Sequence, residues 1–223
     1  MESNILTQLS REIGIAPELI VREEWEMKIL AFLSESKIGQ FLVFKGGTAL
    51  RLAYNSPRFS EDLDFDISDN FSFSEFEKTI KNLAEKYNLE IKDLAKKFYT
   101  YLAQIKIVDE NTERNFSIKI EISTRKVRGR DYAEPKLIVS PSISLQALMQ
   151  VSRLENIKKE KETAVKTRRQ SRDLFDLWYI CQLNREPWKV PKNDFSLREI
   201  KSELNKFLPL KYQKIIKELQ YEK

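Results

Sequence analysis

Apolar side chains recur with changing periods along the chain, and these periods predict the order of its helices and strands. Between residues 20 and 33 the apolar positions follow helical spacing, and Pro17 can open that helix. A continuous apolar run at residues 41–44 then predicts a short buried strand, which ends in a tight turn at Gly46 and Gly47. The chain therefore begins with helices that lead into a strand and a glycine turn.

Acidic and apolar side chains alternate strictly over residues 62–67, after a short helix expected at residues 48–54. This period of two predicts a strand with two different faces, because successive side chains of a strand point to opposite sides. One face carries the carboxylates of Asp62, Asp64 and Asp66, and the other carries only apolar side chains. We expect the strand to pack into the core through its apolar face.

The remaining pattern predicts one helix, two strands and a helical C-terminal part. Ser74 is the expected N-cap of a helix that runs to about Asn88. Residues 99–108 and 115–123 are typical of two strands joined by a polar turn, and from Ser142 onward the pattern favours helices. These elements predict an α/β (α+β) fold in which a small mixed sheet is flanked by helices.

This order of elements also suggests a division of the chain. We expect an N-terminal helical segment at residues 1–39, a core that carries the sheet at residues 40–140, and a C-terminal helical region at residues 141–223. No stretch approaches the ~20 apolar residues of a membrane span, and the N-terminus lacks the pattern of a signal peptide. We therefore expect a cytoplasmic protein.

The composition excludes several kinds of chemistry. The chain of 223 residues has no histidine and a single cysteine, Cys181. A Ser-His-Asp triad, a Cys-His pair, a His-ligated metal, an internal disulfide and a thiolate zinc cluster are therefore excluded. Carboxylates, lysines, arginines and hydroxyls are left to carry any catalysis.

The positive charge of the chain is concentrated in one segment. The formal net charge is +5, but residues 119–172 hold 14 Lys and Arg against 6 Asp and Glu, a net +8. Within it, the basic run Arg125-Lys126-Val127-Arg128-Gly129-Arg130 directly follows the strand that carries Glu121. Such a run is typical of an RNA-backbone-binding loop, and the alternative is an ordinary solvated loop.

A glycine pair and two strands carry the candidate chemistry. Gly46 and Gly47 lie between a strand and a helix, where glycine permits a positive φ and the helix N-terminus presents free N–H groups to a phosphate. Asp62 and Asp64, about 7 Å apart on one strand face, can bind one or two Mg²⁺ ions that clamp a nucleoside triphosphate. Glu121 offers a third carboxylate from another alternating strand.

Each of these features also has a purely structural interpretation. A glycine pair alone is most often an ordinary turn, an Asp-x-Asp pair can be a solvated edge strand, and Glu121 can be one more exposed acid. The apolar opposite face argues against a solvated edge, and crowded carboxylates repel each other unless a cation neutralises them. Together the features predict a site for phosphoryl or nucleotidyl transfer.

Two segments make the sequence recognisable. The segments 44–50 (Phe-Lys-Gly-Gly-Thr-Ala-Leu) and 58–65 (Arg-Phe-Ser-Glu-Asp-Leu-Asp-Phe) together resemble the AbiEii/AbiGii-type nucleotidyltransferases. These are toxins of toxin–antitoxin and abortive-infection systems within the polymerase-β-like superfamily. Residues 161–177 look like the C-terminal helical motif of that family, so the resemblance covers about residues 40 to 180.

The resemblance implies a polymerase-β-like nucleotidyltransferase core and a set of roles. Gly46, Gly47 and Thr48 would hold the triphosphate. Asp62 and Asp64 would bind Mg²⁺, with Mn²⁺ as the alternative ion. The donor would be a nucleoside triphosphate, the acceptor an RNA with tRNA first, and an antitoxin would be a partner.

Glu121 lies where the superfamily places its third strand carboxylate, so the resemblance implies a third metal ligand there. The same carboxylate is the candidate to draw a proton from the attacking hydroxyl. Lys45, which flanks the glycines, is a candidate phosphate contact or a solvent-facing side chain at a strand end.

The later motif adds charged candidates. Lys161, Arg168, Arg172 and Asp176 share one helix face if residues 161–176 form a single helix, and the cations on it could neutralise the triphosphate or the acceptor backbone. The alternative is that Arg172 and Asp176 form a surface pair. We also predict Asp173 as a catalytic-site residue. Its expected role is to orient other groups by pairing with a lysine or arginine across the cleft.

Two other functions stay open from the sequence. A metal-dependent nuclease could use the same carboxylates, although it has no need for the glycine turn. A non-catalytic module that binds RNA or an antitoxin is the second alternative.

Overall fold

The computed structural model describes residues 1–127, 129, 131–168 and 170–220. Its α-helices are α1 (Ser3–Ile13), α2 (Pro17–Glu35), α3 (Gly46–Ala53), α4 (Phe73–Tyr87), α5 (Leu154–Thr167), α6 (Arg172–Asn184) and α7 (Leu197–Phe207). Its strands are β1 (Leu42–Lys45), β2 (Asp62–Ile67), β3 (Glu90–Lys97), β4 (Thr100–Ile107), β5 (Phe116–Lys126), β6 (Ala133–Ser140) and β7 (Ile143–Ser152). Short 3₁₀ segments cover Gly39–Phe41 and Leu210–Leu219.

The seven strands of the described residues form one mixed sheet in the order β3-β4-β5-β2-β1-β7-β6. Strand β2 lies near the centre, antiparallel to β1 and parallel to β5, and β1 is parallel to β7. The glycine turn and both acid-bearing strands therefore lie in the middle of the sheet, where neighbouring strands hold them on either side.

Helix α2 supports the sheet from its apolar side. Its buried Met27, Ile29 and Leu30 share one core with the apolar face of β2. Arg22 of α2 donates hydrogen bonds to the main-chain carbonyls of Glu61 and Ser117 at 3.3 and 2.9 Å, which ties together the beginnings of β2 and β5. A second core joins α6, α7 and the last 3₁₀ segment. None of the described helices has the length and apolar character needed to cross a membrane.

The expectation of helices from Ser142 onward is wrong as far as Arg153, because the first helix of that region begins at Leu154. Residues 143–152 form β7, in which buried Ala147, Met149 and Val151 alternate with exposed neighbours. Leucine, alanine and methionine favour helices intrinsically, but pairing with β1 on one side and β6 on the other overrides that preference. The sheet therefore extends to Ser152, past the boundary expected at residue 140.

One smaller prediction also needs correction, and two strands of the sheet were missed. Helix α4 has Ser72 as its N-cap rather than Ser74, because Ser72 and Glu75 form a reciprocal capping box. Strands β3 and β6 were not predicted from the sequence, since both lie at sheet edges and carry many exposed side chains. The strand at residues 62–67 and the helix opened by Pro17 are confirmed.

Glu26 of α2 is a buried acid whose replacement should stabilise the protein. It is 2% exposed, and within the described residues its Oε1 atom has no hydrogen-bond partner. Burial, followed by repulsion from Glu23, raises the pKa of Glu26 well above 4.5. The folded state thus holds this proton more tightly than the unfolded chain, and stability is lost as pH rises from 4.5 toward the folded-state pKa.

We therefore expect Glu26→Gln to raise the melting temperature at pH 7–8, with a gain that shrinks toward pH 4. At this chain length about 1 kcal/mol corresponds to about 2–4 °C. The matched control is Glu24→Gln, because Glu24 is also buried but pairs with Lys28 at 3.0 Å. Thermal melts across pH check this, and an equal gain in the control would contradict it.

Candidate active site

A cleft of about 320 Å³ opens between the start of α3, strands β2 and β5, and helices α5 and α6. Nine of the ten residues predicted for the site line it: Lys45, Gly46, Gly47, Asp62, Asp64, Glu121, Arg168, Arg172 and Asp173. Thr48 does not. Residues that are far apart in the sequence therefore meet at one place, as the motifs predicted.

The three predicted carboxylates lie side by side in the sheet. Asp64 of β2 is in register with Glu121 of β5, and Asp62 precedes Asp64 on the same face. Burial, then repulsion from Asp62 and Glu121, raises the pKa of Asp64 to about 6, against the opposing attraction of Lys161 and Lys45. The ionised form of Asp64 is therefore disfavoured when no metal ion is bound beside it.

Lys119 is a site residue that sequence reasoning missed. Its Nζ atom lies 3.0 Å from Glu121 Oε2 and 4.0 Å from Asp62 Oδ2. Burial lowers the pKa of Lys119, but Glu121 and Asp62 outweigh burial and raise it. A signal was present, since Lys119 precedes Glu121 by two residues and must share its strand face.

The glycine pair makes room for charged side chains. Gly46 has φ +80°, which confirms the predicted positive φ, and a Cβ atom there would lie 2.7 Å from Asp64 Oδ2. A Cβ atom on Gly47 would lie 2.4 Å from Arg58 Nη2. The turn thus lets the main chain approach one carboxylate and one guanidinium closely, at the N-terminus of a helix whose first N–H groups have no helical partner.

Thr48 has a different place from the one predicted. Its hydroxyl is buried and donates a hydrogen bond to the main-chain carbonyl of Asp62. It fastens the start of α3 to the start of β2, and so it positions the glycine turn against the carboxylates instead of lining the cleft.

Four charged side chains, three of them buried and that of Lys161 largely buried, form the wall of the cleft at α5 and α6. Arg58 makes a bidentate pair with Asp176 at 2.7 and 2.9 Å, and Lys161 bonds Asp173 at 2.7 Å and Asp176 at 2.6 Å. Burial raises the pKa of Asp176, but Arg58 and Lys161 outweigh it and lower that pKa to about 2. We call Arg58, Lys161, Asp173 and Asp176 the buried quartet.

The predicted single helix at residues 161–176 is wrong. Helix α5 ends at Thr167, Arg168 has extended backbone, and α6 begins at Arg172. Ser171 donates its main-chain N–H and its hydroxyl to Glu203, which fixes the break between the helices.

The break also changes which charges pair. Arg172 lies 3.9 Å from Glu61 and 3.8 Å from Glu203, and Asp176 pairs with Arg58 and Lys161, so the proposed pair between Arg172 and Asp176 does not form. Asp173 pairs with a lysine, as predicted, but Lys161 lies on the same wall of the cleft rather than across it. The Oδ2 atom of Asp173 has no hydrogen-bond partner among the described residues.

Two basic side chains at the rim differ in their partners. Lys45 lies 2.9 Å from both Asp66 and Glu160, and Asp66 also accepts a hydrogen bond from the Tyr132 hydroxyl at 2.7 Å. Arg168 is exposed and has no ion pair within the described part of the chain. Arg168 is therefore the more available cation for a phosphate.

The predicted basic loop is wrong for its first two residues, because Arg125 and Lys126 are the last residues of β5. Arg125 stacks over the ring of Tyr99 at 4.4 Å, and Lys126 bonds Asp69. Arg128 and Arg130 lie outside the described residues.

The donor set fits a hard divalent cation held jointly with a substrate. Within the described residues, no group of three or more acidic or cysteine side chains is arranged to hold a metal ion alone. Mg²⁺, however, is usually bound through one or two carboxylates together with substrate phosphates. Asp62 and Asp64 would supply those carboxylates. Burial, followed by repulsion from Asp62 and Glu121, raises the pKa of Asp64, and a bound cation would oppose both effects.

Comparisons with known proteins bear on the family and the fold of the chain. The family model described as "Nucleotidyl transferase AbiEii toxin, Type IV TA system" matches residues 28–218. A crystal structure of JHP933 from Helicobacter pylori has a TM-score of 0.57 at 22% identity, over 92% of this chain and 78% of that chain. A candidate nucleotidyltransferase from H. pylori has a TM-score of 0.59 at 20% identity, over 93% and 100%. No curated protein matches the chain.

Proposed function

The chain belongs to the AbiEii nucleotidyl transferase toxin family of type IV toxin–antitoxin systems, and we propose on that basis which group it transfers and to what. It is a nucleotidyltransferase with the α/β fold expected for one. In our proposal it moves a nucleoside monophosphate from a nucleoside triphosphate to a hydroxyl of an RNA, with tRNA as the first candidate. The reaction depends on Mg²⁺.

The observation that carries the proposal is the position of Asp64. It lies between Asp62 and Glu121 and directly beside Gly46, so the carboxylate cluster and the phosphate-binding turn share one wall of the cleft. A nuclease would need the carboxylates alone. The close approach of a glycine turn to these acids favours a reaction in which a triphosphate and a divalent cation are held together.

The chain's own residues divide the work of the transfer. Asp62 and Asp64 would hold Mg²⁺, which supplies positive charge to the phosphates when bound. The main-chain N–H groups at Gly46 and Gly47 bind phosphate oxygens, and Arg168 binds the outer phosphates from the opposite rim. Glu121 accepts the proton of the attacking hydroxyl.

The bond changes follow from this placement. A new bond forms between the acceptor oxygen and the α-phosphorus, and the bond from the α-phosphorus to the bridging oxygen breaks, so that pyrophosphate leaves. Lys119 holds Glu121 in position, and Asp173, through Lys161, positions the start of α6 at the cleft wall.

The test is labelling of total RNA with each nucleoside triphosphate in turn. With Mg²⁺ present, label at the α-phosphate should appear in one class of RNA and label at the γ-phosphate should not, since the latter leaves as pyrophosphate. Cleavage of RNA without labelling would instead indicate a nuclease. Binding of RNA with neither labelling nor cleavage would indicate a non-catalytic module.

Family membership also bears on partners and place in the cell. A toxin–antitoxin family implies an antitoxin that accompanies this chain. We propose that both act in the cytoplasm, where RNA and nucleoside triphosphates meet. A neighbouring reading frame that encodes a small DNA-binding protein would support this.

A further inference from the structure

The turn between β3 and β4 exposes two adjacent aromatic side chains. Phe98 is 88% exposed and Tyr99 is 48% exposed, and their ring centroids lie 4.4 Å apart in an edge-to-face arrangement. Exposed phenylalanine at this level leaves a large apolar surface in water. Two such rings on one tight turn form a compact flat-sided surface, which we call the aromatic tip.

The aromatic tip is continuous with the cleft. The Thr124 N–H donates to the Tyr99 carbonyl at 2.9 Å, and the next pair in register is Thr100 with Ser123. Thr100 and Ser123 both line the cleft. A ligand that leaves the cleft over these two small side chains reaches the aromatic tip next.

Strand geometry sets an upper limit on the distance between Glu121 and the aromatic tip. Glu121 and Ser123 share one face of β5, and β5 shifts its register against β2 between Ile122 and Lys126. At about 3.3 Å per residue, the four residues from Glu121 to Arg125 span at most about 13 Å. A stacked nucleic-acid strand advances about 3.4 Å per nucleotide, so this span corresponds to at most about four nucleotides.

The charges around the aromatic tip suit a polyanion. Arg125 lies over the Tyr99 ring at 4.4 Å. The exposed Lys96 and Lys97 directly precede Phe98 at the end of β3. None of these three cations has an ion pair within the described part of the chain. Aromatic rings with unpaired cations form the combination that binds single-stranded nucleic acid, through base stacking and phosphate contacts.

We propose that Phe98 and Tyr99, with Arg125, form a stacking platform for an unpaired base of the acceptor strand. The inference rests on the proposed transfer to RNA and adds a second contact, within about four nucleotides of the reacting hydroxyl. The platform favours acceptors with an unpaired segment near the reacting end, because the bases of a duplex are already stacked on each other.

The experiment compares the affinity of full-length variants for two RNA probes of the same sequence, one single-stranded and one a blunt duplex. In the single-stranded probe, 2-aminopurine replaces one base at a time, since its fluorescence falls when it stacks on a ring. Phe98→Ala and Tyr99→Ala should each weaken single-strand binding by about 5- to 150-fold. Each should also abolish quenching of the stacked base, which should lie within about four nucleotides of the reacting end. Duplex binding should not change.

Three further variants separate stacking from charge and from general surface effects. Tyr99→Phe keeps the ring and should keep the affinity. Arg125→Gln should lower the slope of log K against log salt by about 0.7, whereas Phe98→Ala should leave that slope unchanged. Leu148→Ala, at an exposed leucine of β7, is the matched control and should have no effect.

The outcomes distinguish this inference from the proposed function. The platform is overturned, and the transfer reaction stands, under two conditions together. The wild-type protein labels RNA, and neither Phe98→Ala nor Tyr99→Ala changes the affinity for single-stranded RNA or the quenching of 2-aminopurine. If the aromatic rings instead prove necessary only for retention of a protein partner, the platform is likewise overturned. If the wild-type protein labels no RNA but the variants still lose the quenching, the platform is supported and the transfer reaction is contradicted.

Discussion

Replacing Asp64 by asparagine should remove nucleotide transfer while making the unliganded protein more stable. The rate should fall by about 10³-fold or more, because a bound metal supplies several kcal/mol of charge stabilisation and about 1.36 kcal/mol changes a rate tenfold. Labelling of RNA from α-labelled nucleoside triphosphates measures the loss. Asn keeps the size of Asp64 next to Gly46, so the turn should not move.

The gain in stability follows from the sign of the pKa shift. Burial and the repulsion of Asp62 and Glu121 raise the pKa of Asp64 from 3.8 to about 6. The folded state therefore binds the proton more tightly, and wild-type stability falls as pH rises from 3.8 to about 6. Asn does not ionise, so Asp64→Asn should melt at a higher temperature than wild type at pH 7 without Mg²⁺, with the difference shrinking toward pH 4.

The combination of lost activity and raised stability separates a chemical role from misfolding. Mg²⁺ with nucleoside triphosphate should raise the melting temperature of wild type and leave Asp64→Asn unchanged. Asp69→Asn is the matched control, because Asp69 lies two residues after the end of β2 but is exposed and pairs with Lys126. RNA labelling by Asp64→Asn at the control's rate would refute the assignment.

The parts of the site that could be predicted depend on residue patterns within a few positions along the chain. The alternation at residues 62–67 fixed a strand and its acidic face, and a glycine pair between a strand and a helix indicated the turn. These signals depend on neighbours a few residues away, where the periods of strands and helices apply directly. The same holds for the alternation around Glu121.

The parts that could not be predicted depend on contacts between distant segments. Arg58 and Asp176 are 118 residues apart, and the sequence between them does not show that they meet. Strand β7 resembles a helix locally and becomes a strand only because β1 and β6 flank it. The break before Arg172 likewise depends on Glu203, a residue of another helix.

The second large effect is expected at the buried quartet, where Asp176→Asn should destabilise the fold by about 3–5 kcal/mol. Asp176 is fully buried and is the carboxylate shared by Arg58 and Lys161. Removing its charge leaves the Arg58 guanidinium buried without an anion, which costs more than the pair itself contributes. Urea denaturation at pH 7 measures this. Glu77→Gln, which removes an exposed pair with Lys81, should change stability by less than about 1 kcal/mol.

The pH dependence tests whether charge is the cause. Because Arg58 and Lys161 lower the pKa of Asp176 from 3.8 to about 2, its stabilisation is present above pH 3.8 and is lost as pH falls toward 2. The difference between wild type and Asp176→Asn should therefore narrow from pH 4 to pH 2, whereas a packing defect would persist across that range. Arg58 also lies against Gly47, so the quartet holds the glycine turn as well as the core. A double variant tests the same cause. If Arg58→Met added to Asp176→Leu partly restores stability, the unpaired guanidinium accounts for the destabilisation, whereas a purely additive loss would contradict this.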